Sequence, residues 1–261
     1  MNKFIAALTA CVLLLSFSGC AKKNDVKNKE DNIQVVTTKE TRNTEKEVTE
    51  VKLPLADKII CVDAGHGLNS YNKQEPIAPN SSQTKIAFAS GTRGKNQTEE
   101  KLNLSVALKL ESKLKEQGAT VYMTRTTHES DMTNIDRAEL ANEKNADISV
   151  KIHADGLDNS SAHGVSMLVP SNKYINNSEL CEKSRKAGEI ILAEVIKNTG
   201  ASNRGVVVRE DLTGFNWTKV PIVLIEMGFM TNPDEDAKLE TDEYQNKIVD
   251  GIVNGLLIYF Q

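Results

Sequence analysis

From residue 58 onward, short β-branched runs alternate with longer stretches whose apolar positions recur every three or four residues. The runs at 58–62, 120–124, 147–152, 164–169 and 220–225 read as buried strands, with a shorter one at 206–208. Helical periodicity marks 98–117, 135–145, 178–199 and 242–259. Thr98 is placed as a cap for the first helix, and Gly118 and Gly200 are placed as stops. Strands alternating with helices predict an α/β fold, a mostly parallel central sheet with helices on both faces. The segment 53–261 suits a single catalytic domain without internal repeats.

The helix at 98 carries Leu102, Val106, Leu110 and Leu114 in one stripe. At about 100° per residue, Glu99 falls within that stripe, and Glu100 lies roughly one step of 100° off it. A carboxylate on the core side is costly unless paired or bound to a cation, which favours Glu99 as a ligand over its rival Glu100. Both acids also suit a helix N-terminus for its own sake, so the choice stays open.

Three polar residues fall at strand ends: His66 just past 58–62, His153 after 147–152 and Glu226 after 220–225. In an open α/β sheet that rim collects ligands and catalytic groups. Two imidazoles and a carboxylate there are the parts of a metal hydrolase. Singly, each has a bland reading, a hydrogen-bonded structural histidine or half of a buried ion pair; the joint occurrence carries the chemistry. Asp63 is expected either to orient a ligand from behind or to be a strand-end turn residue. His128 is given no role and His163 a structural one. Arg125, Arg137 and Arg204 are read as solvated or salt-bridged, with contact to anionic peptide groups as the alternative. The polar segment 68–97 joins His66 to the first helix, so it is expected to border the site and shape access, with 91–94 near the cleft.

Residues 1–19 read as an export signal: a positive start, an apolar stretch too short for a membrane span, then small residues before Cys20. Ser18, Gly19 and Cys20 resemble a bacterial lipobox, which implies cleavage before Cys20 and a lipid on its sulfur. The segment 20–52 is charged and lacks aromatic residues, and is read as a flexible tether. Cys61 and Cys181 are read as small buried hydrophobes, with a disulfide between them left open. Without a Cys-x-x-Cys, a metal site must use His and carboxylates. With 32 Lys and Arg against 36 Asp and Glu, a nucleic-acid groove is not expected.

VDAGHG (62–67), TEEKLNL (98–104), MTR (123–125), DISVKIHAD (147–155) and VPIVLIEMGFMTN (220–232) occur in that order. Together they resemble the zinc-dependent N-acetylmuramoyl-L-alanine amidases of the type 3 family, across nearly all of 58–260. The resemblance implies one Zn2+ per chain held by His66, Glu99 and His153, with Glu226 serving catalysis. It implies hydrolysis of the amide between N-acetylmuramic acid and L-alanine in peptidoglycan. The implied location is outside the cell, lipid-anchored to the membrane and facing the wall. Two departures stand out: Ala64 replaces a usual proline, and Glu100 stands where lysine is usual. The competing readings are a non-catalytic wall-binding or regulatory lipoprotein, and a zinc peptidase or deacetylase acting on another wall bond. The process served and any activating protein are not readable from the chain.

Overall fold

The structure, a computed structural model, describes residues 52–68 and 72–261. The signal segment, Cys20 and the tether up to 51 therefore lie outside the described residues. In chain order the elements are β1 (Ile59–Ala64), β2 (Gln74–Pro76), β3 (Thr84–Ile86), α1 (Glu99–Glu116), β4 (Thr120–Met123), α2 (Asn134–Glu143), β5 (Ile148–Asp155) and β6 (Val165–Pro170). They continue with α3 (Asn172–Ile175), α4 (Ser178–Thr199), β7 (Asn203–Arg209), α5 (Thr213–Asn216), β8 (Ile222–Phe229), α6 (Pro233–Leu239) and α7 (Asp242–Tyr259).

Six strands form one sheet in the order β4-β1-β5-β8-β6-β7. All neighbours are parallel except β8 and β6. The exception has a chain-level cause. Residues 156–164 between β5 and β6 contain no helix, so the chain makes no crossover and runs back down the sheet. The long helix α4 then allows β7 to lie parallel to β6.

The sheet alternates between two apolar faces. Ile60, Val62, Ile148, Val150, Ile152, Val223 and Ile225 join the largest core with residues of α1, α4 and α7. The other face carries two smaller clusters, Cys61 with Ala141 and Ala146, and Leu168, Ile222 and Leu224 around Phe215. Helices on both faces follow directly. The stripe of α1 is fully buried at Leu102, Val106, Leu110 and Leu114, and Leu104 is buried beside it.

Several expected boundaries move. Strands β5 and β8 continue past 152 and 225, so His153 and Glu226 lie inside strands and pair in register. The hairpin of β2 and β3, and the short α3, α5 and α6, were not expected. Each is too short for a periodicity to show, although Asn232 before Pro233 is a helix-start signal: its side chain caps α6 at Asp234 N and Glu235 N. Cys61 and Cys181 are free thiols, one buried and one half-buried, so no disulfide joins them. Burial pushes the Cys61 thiol up to about 12. Among the described residues no helix is long and apolar enough to cross a membrane.

Helices α4 and α7 cross closely because α7 presents glycines. A Cβ at Gly251 would lie 2.6 Å from Val195 Cα, and one at Gly255 2.6 Å from Ile191 Cα. Gly255→Ala is expected to destabilise the fold by about 1–3 kcal/mol through overpacking, outweighing a gain in helix preference of up to ~1 kcal/mol. A urea midpoint equal to or above wild type would contradict this.

Candidate metal centre

The turn after β1 is built to present one imidazole. His66 sits at φ +59°, a conformation that residues other than glycine rarely adopt. Three bonds hold it there. Gly65 N donates to Ile152 O at 3.0 Å, Arg137 Nη2 donates to His66 O at 2.7 Å, and His66 Nδ1 lies 2.8 Å from Ala89 O. A carbonyl only accepts, so Nδ1 carries the proton and Nε2 keeps its lone pair.

That lone pair faces the first residue of α1. His66 Nε2 lies 3.1 Å from Glu99 Oε1, and His153 Nδ1 lies 3.0 Å from the same oxygen. The two rings meet edge-on at 78° with centroids 4.7 Å apart. One donor atom from each of His66, Glu99 and His153 falls within 4.8 Å of the others. Of the two acids, Glu99 is the one that lies between the histidines. Glu100 instead accepts a 2.5 Å bond from Thr98 Oγ1.

Glu99 is 3 % exposed yet well supplied with donors. Asn103 Nδ2 and Ala154 N donate to Oε1 at 3.1 and 3.2 Å, and Thr92 N donates to Oε2 at 2.8 Å. Burial alone would raise its pKa, but the close approach of His153 and His66 outweighs that and holds it well below the carboxylate range. Burial pushes His153 down to about 4, so its ring is neutral. An ionised carboxylate between two imidazoles, buried and fully oriented, is a fit for a cation. Two nitrogens and one oxygen are donors of the kind that hold a divalent transition ion, zinc among them. Glycine is required around it. A Cβ at Gly65 would lie 2.3 Å from the His153 ring, and one at Gly91 2.5 Å from Glu99 Oε2. Gly91 and Thr92 therefore border the site, while Gly94 packs against Asp236.

Glu226 stands beside His153 on the adjacent strand. Its Oε2 is buried and has no hydrogen-bond partner among the described residues. Burial first, then the charges of Glu99 and Asp155, push its pKa well above the ordinary value, with Arg209 opposing.

Beneath the turn lies an ionic platform. Asp63 pairs with Arg137 Nη1 at 2.6 Å and with Lys151, and accepts from Thr124 Oγ1 at 2.7 Å. Burial would raise Asp63, but Lys151 and Arg137 hold it well below the usual carboxylate range. Asp63, inside β1, pairs with Arg137, which donates to the His66 carbonyl, so it supports that residue from behind and is not a turn residue. Arg125 donates to Ala64 O, Gly65 O and Glu100 O at 2.7–2.8 Å. Arg125 and Arg137 are thus buried supports of the turn. Arg204 stacks 4.8 Å over Phe229. His163 Nδ1 meets Ser161 O at 3.0 Å, a local contact. Asn103 and Lys151 were not anticipated. Asn103 is one helical turn beyond Glu99 on the same face, which is the signal that marks it.

The N-acetylmuramoyl-L-alanine amidase family profile matches residues 60–257. The chain is 29% identical over 207 residues to the uncharacterized protein YqiI of Bacillus subtilis, covering 79% of this chain and 87% of YqiI. It is 26% identical over 216 residues to the N-acetylmuramoyl-L-alanine amidase LytC of the same organism, covering 83% of this chain but 38% of LytC. The crystal structure of the N-acetylmuramyl-L-alanine amidase Ami1 from Mycobacterium smegmatis superposes with a TM-score of 0.72 at 25% identity, covering 79% of this chain and 98% of Ami1.

Asn103→Ala is expected to weaken binding of a divalent ion about tenfold to hundredfold, the usual effect of losing an outer partner. Equilibrium competition against a chelating dye reads this directly, and unchanged affinity would remove Asn103 from the support of the centre.

Proposed function

The chain belongs to the N-acetylmuramoyl-L-alanine amidase family, and we propose that it cuts the amide between N-acetylmuramic acid and L-alanine in peptidoglycan with one zinc ion held by His66, Glu99 and His153. The observation that carries the reading is the convergence of those three donors beside a buried carboxylate, Glu226, with an unpartnered oxygen. Zinc with three protein ligands acidifies a water to a pKa of about 7 and polarises a carbonyl oxygen.

The protein's own groups do the rest. Ala89 O and the Glu99 support fix both rings, so their nitrogens are aimed without reorganisation. Glu226 accepts the proton of the attacking water and returns it to the leaving nitrogen of L-alanine. The products are a muramyl carboxylate and a free amine. A base whose pKa is raised by burial suits this double role, since it holds a proton more readily than an ordinary carboxylate. Ala87, Phe88 and Ala89 line the pocket beside His66 and His153.

The N-terminal segment extends the proposal. Residues 1–19 direct export, Cys20 carries a lipid, and 20–52 tethers the domain to the outer face of the membrane, toward the wall. The support for this is the sequence pattern around Cys20.

Glu226→Gln is expected to keep its zinc and lose at least a hundredfold in turnover of purified wall. Mass spectrometry of the wild-type digest is expected to find stem peptides with a free L-alanine amino group. Shortened peptides or lost acetyl groups would overturn the bond assignment, and no cleavage at all would favour a binding role. Cys20→Ala is expected to move the protein from the membrane fraction to the soluble one, and unchanged fractionation would sink the anchor.

A further inference from the structure

Arg209, the last residue of β7, shares a sheet face with Glu226. The register fixes this. Glu226 pairs with Ser166; Leu168 and Pro170 follow Ser166 on the same face; Pro170 pairs with Arg209. The guanidinium is close enough to Glu226 and Asp155 for both carboxylates to favour its charge. Val207, two residues earlier on that face, is 40% exposed, so the sheet is uncovered here.

Arg209 is only partly used by the fold. Its Nε and Nη2 each donate to Asp211 at 2.8 Å, and Nη1 has no hydrogen bond among the described residues. Asp211 is also shared. Lys85 of β3 donates to its carbonyl at 2.8 Å and brings Nζ to 3.6 Å from its carboxylate. The adjacent Glu210 is taken by Lys173 at 3.0 Å. Two cations therefore share one carboxylate, and a positive charge is left over at the open end of the face. The inner end is the reverse: Glu99, Glu226 and Asp155 would repel an anionic peptide.

We propose that Arg209 anchors a carboxylate of the peptide joined to the scissile amide, so that the cleft reads a negatively charged stem. This rests on the amidase reading above. The ligand class is a peptide that begins with L-alanine and carries a free carboxylate on its next residue. A guanidinium matches a carboxylate in planar geometry, and its charge offsets the acids deeper in the cleft. Arg209 is a specificity-determining residue that takes no part in bond cleavage.

The test is calorimetric binding of two product-like peptides to the zinc-loaded protein: L-alanyl-γ-D-glutamate with a free α-carboxylate, and the same peptide with that group amidated. Arg209→Gln is expected to weaken the carboxylate peptide roughly tenfold or more, the scale of a charge-assisted hydrogen bond, and to leave the amidated one unchanged. Equal loss for both peptides, or loss for neither, would overturn the assignment. Should Arg209→Gln fail to fold, Asp211→Asn carries the question. Freeing the guanidinium is expected to tighten the carboxylate peptide alone, and no tightening would count against the proposal. Binding of a product requires no cleavage, so these outcomes are read separately from wall turnover, on which the amidase reading stands or falls.

Discussion

A single buried carboxylate organises the centre. Glu99 is the first residue of α1, and its two oxygens gather an imidazole from the β1 turn, an imidazole from β5, an amide from its own helix and two backbone N–H groups. A charge placed this deep is tolerable only with that many partners. The same requirement forces the N-terminus of α1 against the ends of β1 and β5. The apolar stripe of α1 supplies the binding force that keeps it there. Chemistry and packing are thus two ends of one helix.

Support for the opposite side of the centre is ionic. Arg125 and Arg137 donate to the carbonyls of residues 64–66, where β1 gives way to the left-handed turn. Buried guanidinium groups need a counter-charge, and Asp63 supplies it to Arg137 while also pairing with the Lys151 ammonium. Removing one member of such a cluster strands the others in a low dielectric, and the turn carrying His66 would be the first part to relax.

Along the second face the charges are graded. Acids crowd the centre at Glu99, Glu226 and Asp155, and the basic groups Arg209 and Lys85 stand at the outer edge. A cation bound at the centre would relieve the crowding. The raised pKa of Glu226 is the trace of that crowding added to its burial.

Much of this was legible in the chain. The period of apolar residues marked all four long helices and six of the eight strands, because each buries a continuous face. His66, His153 and Glu226 were legible as polar interruptions at strand ends, and Glu99 as an acid within an apolar stripe. What remained hidden had no period to reveal it. The hairpin of β2 and β3 is held by contacts such as Trp217 Nε1 to Pro76 O at 3.1 Å, 141 residues apart. The reversal of β6, the pairing of His153 with Glu226, the partnership of Asp63 with Lys151 and Arg137, and the place of Arg209 on the catalytic face all depend on which strands become neighbours. Local sequence determined the elements and the residue types they carry, since those follow from burial along one strand or helix. Tertiary structure alone decided which acid faces the histidines and which arginines are spent on the turn, since those depend on distances between segments remote in the chain.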